Sequence, residues 1–188
     1  MTNRWRVALF LWLSVAAVAR AGVDAAEAPD AKTAEPFLEV PTGVIVPARR
    51  AQAEAEPCLV ECGETYWTPS REAIAKLETQ LRPHLEERLR EALAALEAVP
   101  LEKRKHSAQE SRAGHLRNIL GRLDQTARQY IGVLVGDTRW IHVAGLPRED
   151  RYDWRQRVVI VSDGGDWFWE ATYRLDSGFV LFGWHGEA

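Results

Sequence analysis

Ile74, Leu77, Leu81, Leu85, Leu89, Leu93 and Leu96 recur at steps of three and four residues, and no other feature restricts the fold as much. This spacing lays an apolar stripe along one side of an α-helix. Thr68-Pro69 reads as the helix start, an N-cap followed by proline at the first helical position. Pro83 interrupts the stripe, so the segment is either one kinked helix or two helices joined at Leu81-Arg82. Pro100 ends it. Residues 101–108 (LEKRKHSA) read as a basic loop. A second helix is expected from about Gln109 to Thr126, on Leu116, Ile119, Leu120 and Leu123.

The period then changes. Residues 127–135 and 139–145 are β-rich runs separated by Gly136-Asp137-Thr138, which predicts a hairpin. Arg157 to Ser162, Trp167 to Leu175 and Phe179 to Trp184 read as three further strands. The turns between them are Asp163-Gly164-Gly165-Asp166 and Asp176-Ser177-Gly178. A helical stripe and a meander each carry an apolar face, and the simplest way to bury both is against each other. The expected fold class is α+β, with amphipathic N-terminal helices packed on a four- to five-stranded antiparallel meander. The analogy is to cystatin-like or NTF2-like folds, and an analogy of fold carries no function.

The front of the chain reads as an export signal. Arg4 and Arg6 precede a 13-residue apolar run, Val7 to Ala19, and Ala19-Arg20-Ala21 fits a small-residue cleavage site. The run is short for a spanning helix, which needs about 20 residues. Residues 1–21 are therefore expected to be a signal peptide, with no stable membrane anchor after cleavage. The alternative is an uncleaved N-terminal anchor. Cleavage removes three basic residues and moves the net charge from −3 to −6. The expected location is periplasmic or extracellular. In that oxidising setting Cys58 and Cys62 are read as a local disulfide, since metal binding needs further ligands and no histidine lies between residues 22 and 83.

Residues 22–57 are rich in Ala, Glu and Pro and read as a flexible leader. Within them Phe37 to Pro47 (FLEVPTGVIVP) could dock as a short edge strand, because Pro41 and Pro47 exclude an interior position. Residues 58–188 then form a single α+β domain, helical over 68–126 and stranded over 127–185. The balance of charge does not supply the basic footprint of a nucleic-acid binder.

Five of the eight tryptophans (Trp140, Trp154, Trp167, Trp169, Trp184) fall in the last 49 residues. On the fourth expected strand Trp167, Trp169, Ala171 and Tyr173 share one face. That face is expected to be core, and the alternative is an open aromatic strip for sugar rings or a partner.

No catalytic constellation stands out. His84, His106, His115, His142 and His185 have no adjacent nucleophile pattern, and structural or surface roles are expected for them. Asp163, Asp166 and Asp176 read as turn residues, not as a cation site. No metal and no cofactor is expected. Lys103-Arg104-Lys105-His106 reads as a solvated loop. The segment after the hairpin is more suggestive. Arg148, Arg151, Tyr152, Trp154 and Arg155 are of the types enriched at binding hot spots. They are the candidate binding residues, and the competing reading makes Trp154 a loop anchor.

Asp153-Trp154-Arg155, Val159-x-Val161-x-Asp163-Gly164-Gly165 and the closing Gly186-Glu187-Ala188 together form a pattern. It resembles that of a group of exported bacterial proteins of unknown function. In that group a Y-x-G strand, a D-W-R segment and a V-x-D-G-G turn precede a strand ending N-G-E-A. The Y-x-G equivalent is Tyr130-Ile131-Gly132. Trp67-Thr68-Pro69-Ser70 with Ile74 and Leu77 is similar to the group's helix start. The resemblance covers residues 65–97 and 129–188 and departs at His185, where the group has Asn. It implies export, small size and this fold, and it brings no activity. The resulting expectation is a non-catalytic binding or protein-interaction domain of the cell envelope, whose partner is a protein or a glycan. The alternatives are a small hydrolase-like enzyme with a cavity between helices and sheet, and an inhibitor of an envelope enzyme with residues 146–155 as its wedge.

Overall fold

The leucine stripe folds as one helix, α2 (Arg71–Glu97), in the computed structural model. The structure describes residues 35–54, 65–161 and 163–184. Ser70, not Thr68, caps α2, and its hydroxyl accepts the Ala73 N–H at 3.2 Å. Pro83 does not divide the helix. It lies on the exposed side, where the Thr79 carbonyl that loses its partner can turn to water. The second helix, α4 (Ala108–Arg122), starts from a Ser107-x-x-Glu110 capping pattern, with the Ser107 hydroxyl accepting the Glu110 N–H at 3.1 Å. A single turn, α3 (Leu101–Arg104), occupies part of the expected basic loop. In it Arg104 donates to the carbonyls of Glu97 and Val99 and so closes the C-terminus of α2.

The fold is mixed α+β, with a mostly antiparallel sheet of seven strands. These are β1 (Leu38–Val40), β2 (Gly43–Val46), β3 (Thr65–Trp67), β4 (Thr126–Val135), β5 (Thr138–Pro147), β6 (Trp169–Arg174) and β7 (Gly178–Trp184). The order is β1-β2-β4-β5-β6-β7, and β3 also pairs with β4. β4 and β5 pair over ten residues from Thr126↔Pro147 to Val135↔Thr138. This is the expected hairpin, turning at Gly136 with φ 57°.

Three expectations are corrected. Residues 35–54 are folded. Phe37 to Pro47 supplies two strands, and β2 runs parallel to β4 inside the sheet. Pro41 and Pro47 fall outside the strands, so neither removes a ladder hydrogen bond. Residues 48–54, read as leader, form helix α1 (Ala48–Glu54). Residues 157–161, read as a strand, join no ladder. The edge of β5 that they would need is taken by β6, from Trp140↔Arg174 to Gly145↔Trp169. The third correction concerns Trp167, which is 50% exposed in a 3-10 turn (Gly165–Trp167) ahead of β6. Trp169, Ala171 and Tyr173 are buried as expected.

Alternation along the strands sorts the core into two layers. Tyr130, Ile141, Val143, Trp169, Ala171, Tyr173 and Trp184 meet Ile74, Leu77, Leu81 and Leu85 of α2 and Leu116 and Ile119 of α4. The other face carries Val44, Val46, Ile131, Val133 and Leu146, covered by Phe37, Ala51, Trp154 and Phe168. Gly145 makes the first layer fit, because a Cβ there would lie 2.0 Å from the Trp169 indole. The signal segment, Cys58, Cys62 and His185 lie outside the described residues.

Candidate functional site

The loop after β5 is held from beneath by one side chain. Gln129 is fully buried on β4. Its amide N–H group donates to the carbonyls of Trp154 (2.7 Å) and Arg157 (2.6 Å), and its oxygen accepts the Val159 N–H at 2.9 Å. Glu54 of α1 accepts the Val158 N–H at 3.0 Å. Asp150–Tyr152 make a 3-10 turn, and Asp153 follows with φ 48°, a left-handed conformation that Asp tolerates. Trp154 is 4% exposed, inside the second core layer. It is the anchor of this loop.

The arginines of the same loop stay at the surface. Arg155 lies over the Trp154 ring at 4.1 Å, with Glu39 at 3.8 Å and Asp150 at 4.0 Å. Arg151 covers the Tyr152 ring at 4.7 Å and pairs with Glu149 at 2.6 Å. Tyr152 is half-buried edge-on against Phe168. Exposed Arg148 reaches the Pro41 carbonyl at 3.4 Å. Of the five candidate residues, Arg148, Trp154 and Arg155 converge on one hollow of about 170 Å³, with Glu39, Pro41 and Gly43 opposite. Arg151 and Tyr152 stand on the neighbouring turn and do not line it.

A second hollow of about 200 Å³ shares Pro41 and Arg148 with the first. Its floor is a polar network between helix and sheet. Buried Arg128 donates to Glu78 and to the Leu123 carbonyl, each at 2.7 Å. Tyr130 donates to the other Glu78 oxygen at 2.8 Å and meets Thr42 at 2.6 Å. Burial, and then the Glu78 charge, push the Tyr130 hydroxyl far above its ordinary pKa. Both Glu78 oxygens and both terminal nitrogens of Arg128 are occupied. The network therefore ties α2 to β4.

The Asp163-Gly164-Gly165-Asp166 turn is fastened to α4. Asp166 accepts from Asn118 (2.8 Å) and Arg122 (2.7 Å) and meets His115 Nδ1 at 3.1 Å. Burial alone would raise its pKa. The hydrogen bonds from Asn118, Arg122 and His115, with the Arg122 charge, outweigh that and hold it below the usual carboxylate value. Arg122 also covers Trp167 at 4.0 Å. His115 stands against Trp184 at 5.1 Å and lines a cleft of about 620 Å³ between α2 and α4. An imidazole oriented through Nδ1 can move a proton at its other nitrogen. Sequence reasoning missed this group. The available signal was the spacing 115, 118, 122, which sets three polar side chains on one helical stripe.

The other histidines are dispersed. His84 stacks on Phe179 at 4.9 Å, and burial, then the Arg88 charge, lower its pKa. His142 is buried on the sheet face opposite the helices, 3.9 Å from Glu170. Asp176 pairs with Arg174 at 2.7 Å. Among the described residues no group of three or more His, Cys, Asp or Glu is placed to hold a metal ion, and no helix is long and apolar enough to cross a membrane. Compared with protein-family models, with curated proteins and with solved structures, the chain matches none.

Proposed function

We propose that this chain is an exported, non-catalytic domain of the bacterial cell envelope that binds a protein or a glycan through the surface around Arg148, Arg151, Tyr152 and Arg155. One observation carries the reading. Gln129 spends its whole amide on the backbone of the 154–159 loop, which supports a preformed surface. Arginines on a preformed loop lose less conformational entropy on binding. Residues 1–21 serve as the signal peptide, the mature protein is periplasmic or extracellular, and Cys58 and Cys62 form a disulfide there. No cofactor takes part. The packing of α2 and α4 on one face of the sheet supports a cystatin-like or NTF2-like relation, and α1 on the other face and the parallel β2–β4 pair are local departures from it.

The test is affinity capture from a bacterial envelope extract with the wild type and an Arg148→Ala/Arg155→Ala variant, each checked for an unchanged unfolding temperature. The variant is expected to lose a protein or glycan that the wild type retains. Equal capture by both overturns the reading.

The hydrolase-like reading draws on a different observation, the His115–Asp166 pair at the edge of the larger cleft. It requires a substrate whose cleavage is lost in a folded His115→Ala variant. The inhibitor reading uses the same 146–155 surface as the binding reading and differs only in its partner.

A further inference from the structure

The cleft between the second half of α2 and the first half of α4 is more than three times as large as either arginine hollow. Its volume of about 620 Å³ falls within the range of small-molecule sites. Buried Ala92 and Trp184 are among its lining residues, and Ala95 and Ala108 add small side chains. Its charges are unevenly matched. Arg88 and Arg112 are both half-buried in its walls. Among the described residues Arg88 is paired only with Glu91, at 3.3 Å. Arg112 makes no ion pair or hydrogen bond among the described residues. It stands one helical turn before His115, which lines the same cleft and leans on Trp184.

A half-buried guanidinium has given up part of its hydration, and only an anion or good acceptors return that free energy. The planar guanidinium matches carboxylate and phosphate oxygens in pairs. The alanines and the indole leave an apolar bed beside it. We propose that this cleft binds a small organic anion, a carboxylate or phosphate group carried on an aromatic or otherwise apolar body. Arg112 takes the anionic group, Arg88 supports it, and Trp184 with Ala92 and Ala95 receives the body. The site lies on the helix-covered side of the sheet. It shares no lining residue with either arginine hollow, so the two sites are separate.

Isothermal titration of the purified full chain tests the proposal. The probes are phenyl phosphate, benzoate and neutral benzyl alcohol. At least one anion is expected to bind about tenfold or more tighter than benzyl alcohol. Tighter phenyl phosphate assigns the site to phosphate esters, and tighter benzoate to carboxylates. Arg112→Gln is expected to abolish the preference with an unchanged unfolding temperature. Ala95→Trp, at an exposed position on the cleft wall, is expected to block both anions without changing a charge, and it decides the matter should Arg112→Gln fail to fold. Arg148→Ala/Arg155→Ala is expected to leave the preference intact. The proposal is overturned if neither anion outbinds benzyl alcohol. It is equally overturned if folded Arg112→Gln or Ala95→Trp keeps the preference. A preference lost only in the Arg148→Ala/Arg155→Ala variant transfers anion binding to the loop and also overturns the cleft proposal.

Discussion

Gln129 and Asp166 show how much of this molecule rests on single polar side chains placed by distant parts of the chain. Gln129 satisfies two carbonyls and one N–H of a loop that has no ladder of its own. Each buried polar group left unpaired costs about 1–3 kcal/mol. Gln129→Ala is therefore expected to destabilise by about 2–4 kcal/mol in urea unfolding, since some of these groups can reach water once the loop loosens. Asp166 acts through protonation. Its carboxyl is more acidic in the folded chain than in the unfolded one, so the unfolded chain binds the proton more readily. The stability it adds is complete above the unfolded carboxylate range and is lost as pH falls through the folded pKa. The stability difference between wild type and Asp166→Asn is thus expected to shrink between about pH 5 and pH 3, measured by thermal unfolding. A constant difference over that window would show that Asp166 contributes nothing through its charge. Neither role can be assigned from the residue's type, because glutamine and aspartate in such segments are as often solvated.

At the scale of elements, periodicity was a sound guide and local signals were less so. The stripe from Ile74 to Leu96 placed α2 because burial of one helical face repeats at 3.6 residues whatever it packs on. Pro83 signals a break, yet the helix runs through it. The proline removes one hydrogen bond at an exposed position, and the leucines on the other side hold the axis. Pro83→Ala restores that bond without touching the core. It is expected to raise stability by about 1–3 kcal/mol, read as a higher urea midpoint at unchanged slope. The failed strand at 157–161 has the opposite lesson. Val158, Val159 and Val161 have strand composition, and they do bury apolar surface in the second core layer. β propensity reflects fit to a half-buried surface, and such a surface can be found beneath a loop as well as in a ladder. α1 and β3 are short and carry no complete period. They become ordered by leaning on β4 and on each other, as Tyr66 and Trp67 do against Val133 and Gly132.

For the whole molecule, the tryptophans measure what sequence reasoning could reach. Trp167 and Trp169 are two residues apart, and strand alternation predicts one environment for both. Trp169 is 2% exposed across Gly145, while Trp167 is 50% exposed beneath Arg122. Trp169→Ala is expected to cost about 3–5 kcal/mol. Trp167→Ala should cost less, about 1–2 kcal/mol, since half of the side chain is already in water and the rest is a partial burial with a surface cation–π contact to Arg122. Equal losses in thermal or chemical unfolding would contradict the two-layer packing.

The α+β class, the helix faces, the β4–β5 hairpin and most of the first core layer are legible in the chain before it folds. Those features arise from local periodicity and turn chemistry, which neighbouring residues specify. Tertiary structure alone decided that Trp154 anchors the loop and that β2 enters the sheet parallel to β4. It also decided that His115, Asn118 and Arg122 close on Asp166, and that Arg112 lines the α2–α4 cleft with no ion-pair partner among the described residues. Each of these depends on contacts between segments far apart in the chain, where residue type leaves several partners open and only the packed whole selects one.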